Sequence, residues 1–211
     1  MTKTEIITKL VEINAIKLSP LEPFTWASGW LSPIYCDNRK ILSYPCVRNI
    51  ITQGFQNVIN KQFSDVNTIA GVATGAIAHG ALVSQVLDLP FVYVRSSPKK
   101  HGLENLIEGD LLPNQRVVVI EDLISTGQSS LKAVEALRRA GANVIGMVAI
   151  FTYGFDVAKD NFEKSNVPLY TLANYHDLIE YTLKAGIVNE LQVEVLKQWR
   201  KSPQDWKGIT Q

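Results

Sequence analysis

Glu121 and Asp122 stand side by side in the chain, and a run of polar residues and glycine begins three positions after Asp122: Ser125, Thr126, Gly127, Gln128, Ser129 and Ser130. A loop of hydroxyl residues feeding a helix points free backbone N–H groups at an anion, and the helix dipole adds to the attraction. Ser125, Thr126, Gly127, Gln128 and Ser129 are therefore expected to cradle one phosphate. The two carboxylates would repel that phosphate if they faced it. They suit neutral hydroxyls, such as a ribose 2′,3′-diol, or a metal ion. Together the two halves describe a ribose 5-phosphate site. The commoner nucleotide loops do not fit: there is no Gly-x-x-x-x-Gly-Lys pattern, and a single glycine lies in the turn.

The elements that must hold these groups are legible on either side. Val117, Val118, Val119 and Ile120 precede the acids and read as a strand buried on both faces of a parallel sheet. After the loop, Leu131, Val134 and Leu137 recur at helical spacing, and Gly141 sits where a helix C-cap belongs. In an open α/β sheet, ligands bind beyond the carboxyl ends of the strands, where this order puts the acids and the loop. Two adjacent acids at the end of a buried strand are costly unless they bind something.

Two further stretches belong to the same edge. A short apolar strand from residue 68 runs into Ala73, Thr74 and Gly75, and a helix of small residues follows. That is a second anion-binding arrangement, although Gly and Ala here also permit tight helix–sheet packing. A second cradle suits a ligand with phosphates at both ends. Residues 91–95 read as another buried strand that leads into a long polar connection, residues 96–109. Arg95, Lys99, Lys100 and His101 fall within it or at its start. A charge run is usually a solvated face. One that leaves a strand end lies where ligands bind, and a cationic lid there would neutralise a departing pyrophosphate and exclude water.

The rest of the chain is scaffold on this reading. Residues 4–17, 44–60, 175–183 and 189–199 have helical patterning, and residues 143–151 and 169–173 read as strands. Residues 19–39 mix aromatics, Gly and Pro, with Trp26 and Trp30 expected in a small hydrophobic cluster. Aromatic and backbone edges of this kind suit a planar ligand. His79 and His176 read as satisfied structural histidines.

With 211 residues, the chain is expected to form a single domain spanning residues 1–211. A net charge of +1 gives no broad electrostatic case for a nucleic-acid partner. The N-terminus lacks an apolar signal-peptide core, and no apolar run approaches a membrane span. The expected setting is cytoplasmic, with no membrane partner. Cys36 and Cys46 show no metal-ligand spacing.

The strand, acid pair and Ser/Thr-Gly loop resemble the phosphoribosyl-diphosphate motif of the type I phosphoribosyltransferases. Phe24-Thr25-Trp26-Ala27-Ser28-Gly29, followed by Ser32-Pro33-Ile34-Tyr35-Cys36-Asp37, is similar to the N-terminal hood of the orotate phosphoribosyltransferases. Arg95, Lys99 and His101-Gly102 are similar to that family's catalytic loop, and the C-terminal Trp199 to Trp206 segment also resembles it. The resemblance implies an α/β fold with a central, mostly parallel sheet flanked by helices. A small hood would come from roughly residues 1–40 plus the C-terminal part. It implies Mg²⁺-dependent transfer of ribose 5-phosphate from 5-phosphoribosyl 1-diphosphate to orotate, giving orotidine 5′-monophosphate and pyrophosphate in pyrimidine biosynthesis.

In that frame Lys99, His101 and Asp122 are the expected catalytic residues. Arg95, Lys99, Lys100, His101, Glu121, Asp122, Leu123, Ile124, the Ser125–Ser129 loop, Ala73 and Thr74 would bind phosphoribosyl diphosphate. Ser28, Gly29, Ile34, Tyr35 and Ser125 would bind orotate. No permanent protein metal cage is expected, so Mg²⁺ would arrive with the diphosphate. The family's loop serves the neighbouring subunit, which implies a homodimer. Three departures concern the base: Ala27 and Leu31 stand where lysine or arginine is common in longer members, and Tyr153-Gly154-Phe155 replaces a segment that often supplies an arginine. A phosphoribosyltransferase for a purine or uracil, and a non-catalytic phosphoribosyl-diphosphate-sensing regulator, are the alternative readings.

Overall fold

The computed structural model describes residues 2–26, 28–97 and 106–208. Helix α1 (Lys3–Glu12) leads into short strands β1 (Ile16–Leu18), β2 (Phe24–Thr25), β3 (Leu31–Ser32) and β4 (Ile34–Cys36). A 3-10 helix (Asn38–Ser43) and the long helix α2 (Pro45–Gln62) follow. Next come β5 (Thr68–Val72), α3 (Ile77–Leu87), β6 (Phe91–Val94) and β7 (Ile107–Glu108). The chain continues through β8 (Arg116–Ile124), α4 (Gln128–Arg139), β9 (Asn143–Thr152), α5 (Asp156–Lys164), β10 (Leu169–Asn174), α6 (Tyr175–Lys184) and α7 (Glu190–Lys201).

The main sheet runs in the order β10-β9-β8-β5-β6-β7, parallel throughout except for β7 at the edge. From β5 the chain crosses outward to β6; from β8 it crosses the opposite way to β9 and β10. The reversal falls between β5 and β8, and the crevice beyond the carboxyl ends of such a strand pair is where α/β sheets bind ligands. The loops after these two strands are the ones with anion-binding composition.

Both faces of the sheet are buried, as the β-branched runs require. Val118 and Ile120 of β8 pack with Ile51 and Phe55 of α2 and Val83 of α3 on one side. Val117 and Val119 pack with Leu131, Val134 and Leu137 of α4 and Phe162 of α5 on the other. A β-bulge between Val117 and Val118 shifts the β8–β9 register early in the strand.

Several boundaries differ from the sequence reading. The first helix ends at Glu12 rather than running to residue 17, because Asn14 takes a left-handed conformation with φ 54° and Ile16 turns into β1 opposite Cys36. β8 does not stop before the acids; Glu121 pairs with Ala149 and Leu123 with Phe151, so the carboxylates are carried inside the parallel ladder. Helix α4 begins at Gln128, three residues before its apolar stripe. Strand β7 and helix α5 leave little trace in the sequence pattern. β7 has two residues, and α5 buries only Ala158 and Phe162, too sparse a pattern to stand out.

The hood is two small antiparallel pairs, β1 with β4 and β2 with β3. Trp199 of α7, fully buried, closes it from the far end of the chain. Its indole N–H donates to Leu31 O at 3.2 Å, and its ring packs on Trp26, Tyr153, Phe155 and Tyr175. Trp26 joins this core while Trp30 does not. Among the described residues, no helix is long and apolar enough to cross a membrane.

Candidate active site

Neighbouring residues on a strand leave opposite faces, and β8 applies that rule to its two acids. Glu121 turns towards α4 and is buried. Ser130 Oγ donates to its Oε2 at 2.8 Å, and the Asp122 backbone N–H donates to its Oε1 at 3.0 Å. Burial, and after it the charge of Asp122, pushes the Glu121 carboxyl well above the usual carboxylate range. Asp122 turns the other way, half-buried, and its carboxylate lies against Gly75 in the loop after β5. The two acids, expected to face the same hydroxyls, therefore diverge, and Asp122 is the one at the crevice.

The candidate phosphate cradle lies at the start of α4. Gly127 takes φ +78°, and a Cβ there would meet the Phe162 ring at 2.6 Å, so α5 packs directly beneath the turn. Asn161 Nδ2 donates to Thr126 O at 3.0 Å and fixes the loop from behind. The carbonyl of Ile124 accepts from the Tyr153 backbone N–H at 3.1 Å, which ties the strand end to β9. No side chain caps α4 and its first turn holds no acid, leaving first-turn N–H groups and the positive end of the dipole for an anion. Gln128 and Ser129 are exposed or near the surface there, and Ser125 and Thr126 are half-buried.

The loop after β5 is more restricted than its composition suggests. The Ala73 N–H donates to Val94 O at 2.9 Å, so it serves the sheet, while Thr74 stands at the crevice. Gly71 and Gly80 serve helix–sheet packing, each lying where a Cβ would press on α3 or on Phe91. Gly75 is different, because what it admits is Asp122.

A pocket of about 300 Å³ opens between hood and strand ends, lined by Thr25, Trp26, Tyr35, Cys36, Leu123, Ser125 and Tyr153. Its size suits one small planar ring. Burial pushes the Cys36 thiol and the Tyr153 hydroxyl well up from their ordinary values, so both are neutral walls. Ser28 and Gly29 form the exposed turn closed by Gly29 N–H to Trp26 O at 2.8 Å. Tyr35 is exposed at the rim, whereas Ile34 is fully buried and its carbonyl holds Trp26 Nε1 at 3.1 Å. Thr25, Cys36 and Tyr153 are wall residues that the sequence reading did not place among the orotate contacts. Tyr153 had a signal, since it follows a buried strand on the ligand side of the sheet. A roomier cleft of about 790 Å³ lies between α5 and β10. It touches neither Asp122 nor the α4 cradle.

Arg95 follows β6 and is tied in place: its backbone N–H donates to Leu106 O at 2.8 Å and its guanidinium meets Glu108 Oε1 at 3.3 Å. Lys99, Lys100 and His101 lie outside the described residues.

Residues 40–184 match the phosphoribosyl transferase domain family. The chain is 62% identical to orotate phosphoribosyltransferase of Porphyromonas gingivalis over 201 residues, 95% of this chain and 96% of that protein. The chain belongs to the orotate phosphoribosyltransferase family. A second relative of that description, from Phocaeicola vulgatus, is 61% identical and covers 95% of this chain and 94% of its own. Among solved structures, orotate phosphoribosyltransferase from Aeropyrum pernix superposes with a TM-score of 0.73 at 25% identity, covering 87% of this chain and 99% of that one. The family's type I fold is the sheet described above, and the match spans both loops of the crevice.

Proposed function

We propose that this protein transfers ribose 5-phosphate from 5-phosphoribosyl 1-diphosphate to orotate, releasing pyrophosphate and orotidine 5′-monophosphate. The observation that carries the reading is the placement of a ring-sized pocket next to Asp122 and the α4 cradle. Ser125 belongs to both pocket and cradle, so a base in the pocket sits within reach of a sugar phosphate held at α4.

The reaction needs positioning and charge stabilisation more than covalent help. Orotate N1 attacks C1′ as pyrophosphate departs, through an oxocarbenium-like transition state. Ser125, Thr126, Gly127, Gln128 and Ser129 hold the 5′-phosphate at the dipole end of α4. Asp122 takes the ribose diol and the developing positive charge. Glu121 supports it from the α4 side, gripping the Asp122 N–H and Ser130. Thr74 and Arg95 serve the diphosphate, with Lys99, Lys100 and His101 as the cationic lid. Tyr35, Ser125 and the Ser28–Gly29 turn hold orotate, with Ile34 fixing the turn through its carbonyl.

Mg²⁺ supplies charge neutralisation on the diphosphate. The cation would be carried by the substrate's own oxygens, as Mg²⁺ commonly is with phosphates. The assembly is a homodimer in the cytoplasm. The test is steady-state turnover with one base offered at a time. Orotate should be consumed and uracil and hypoxanthine should not; preference for a purine would overturn the base assignment.

A further inference from the structure

Among the described residues, three buried polar atoms beside the crevice lack a hydrogen bond of normal geometry: Asn38 Oδ1 and both ring nitrogens of His79, the ring lying near the Asn38 backbone. Each residue is 1% exposed. His79, read from the sequence as a structural histidine, is buried as that reading expects. Buried polar groups are nearly always hydrogen-bonded, and an exception requires an explanation.

Their location supplies one. Asn38 opens the 3-10 helix and donates from Nδ2 to Asp122 O at 2.6 Å. His79 sits in the first turn of α3, one turn after Gly75, whose missing side chain makes room for the Asp122 carboxylate. Burial holds the imidazole below its ordinary pKa, and the charge of Asp122 acts on it in the opposite direction. Three elements thus meet at Asp122: the 3-10 helix at its backbone carbonyl, the turn into α3 at its carboxylate, and β8, which carries it. A neutral imidazole carries one donor and one acceptor, and an amide oxygen accepts two bonds. A water donating to Asn38 Oδ1 and bonded to a ring nitrogen would have two polar partners, the lower end of the usual two to four.

We propose that Asn38 and His79 are positioning residues for Asp122, joined by an internal water that links Asn38 Oδ1 to the His79 ring and completes a polar bed beneath the ribose-binding end of β8. The inference rests on the reading of Asp122 as the ribose carboxylate. A neutral partner suits that role, since a cation beside Asp122 would draw the carboxylate away from the sugar hydroxyls.

The test uses His79→Leu, His79→Gln and Asn38→Leu, the double variant His79→Leu/Asn38→Leu, and Asp122→Asn as reference. Turnover, KM for both substrates and thermal unfolding are measured on each. His79→Leu should lower kcat about tenfold or more, because small misplacements of reacting groups carry losses of that size. KM for orotate should stay within about twofold of wild type if uniform base binding is untouched. Thermal unfolding checks that each variant is folded, so that a lower kcat is read on native protein. His79→Gln should recover most of the rate. The double variant should be no slower than the slower single, because both act through one path. A folded His79→Leu with wild-type kcat beside a dead Asp122→Asn overturns the positioning role and leaves the Asp122 reading standing. Losses that multiply in the double variant also overturn it, as does a Gln variant as slow as Leu. Wild-type turnover in Asp122→Asn removes the reading beneath.

Discussion

The carboxylate of Asp122 occupies the space that a side chain at position 75 would fill: a Cβ on Gly75 would meet Asp122 Oδ1 at 2.8 Å, with Oδ2 closer still. The two loops of the crevice are fitted to each other at this point. Gly75→Ala should displace the carboxylate rather than the backbone, because the atom that must yield is the end of a side chain. Turnover should fall about 10- to 100-fold, while stability changes by about 1 kcal/mol or less. Steady-state kinetics beside a urea titration separates the two, and equal losses in both would contradict the fit.

Gly127 makes the opposite prediction. Its φ of +78° and the Phe162 ring beneath it penalise any side chain in the fold itself. Gly127→Ala should cost about 1–2 kcal/mol for the left-handed backbone alone, lowering the unfolding temperature by roughly 2–8 °C in a chain of this size. KM for phosphoribosyl diphosphate should rise as the cradle opens. Calorimetry on Gly127→Ala, alone and with Phe162→Leu, checks the source: the ring substitution should return part of the loss.

Glu121 carries a signature in pH. Its folded-state pKa lies well above the ordinary 4.5. The native state therefore binds more protons than the unfolded state once pH exceeds that ordinary value, and stability from this group falls as pH rises through the window up to the folded pKa. Glu121→Gln removes the slope. Wild type minus variant stability, measured by denaturant titration at several pH values, should decrease from the mildly acid side upward. A difference that grows with pH would mean that Ser130 and the α4 terminus hold Glu121 charged.

The lid should act across a dimer. Residues 98–105 lie outside the described residues, and Arg95 N–H to Leu106 O closes the base of the segment. Lys99→Ala and Asp122→Asn homodimers should each be nearly inactive. In a hybrid of the two, a lid acting in trans sets one good lid over one good ribose bed and restores activity. No recovery despite proven hybrid formation would assign Lys99 to its own subunit.

The strand, acids and loop of the candidate phosphate site were legible because they are local in the chain. The β-branched run, the acids and the hydroxyl loop follow one another in β8 and α4, so period and composition carried the reading. The divergence of Glu121 and Asp122 was also implicit in strand alternation, and was obscured by the expectation that the strand would end before them. The base pocket was less legible because it is assembled from distant parts: Thr25 and Cys36 from the hood, Tyr153 from the end of β9. Asn38 and His79 gave no local signal at all. The sequence does not show that the 3-10 helix and β8 come near His79 in the fold.

Trp199 has a consequence for synthesis on the ribosome. Leu31, whose carbonyl it holds, precedes it by 168 residues. At roughly 5–20 residues per second, a nascent hood waits roughly ten to thirty seconds for the helix that closes it. The phosphate cradle, complete once α5 has emerged, is the earlier structure, and the base pocket is the later one. Until α7 is made, the faces of Trp26 and Tyr153 that pack on Trp199 lack that cover, and a ribosome stalled before α7 displays β8 and the start of α4 without a finished hood.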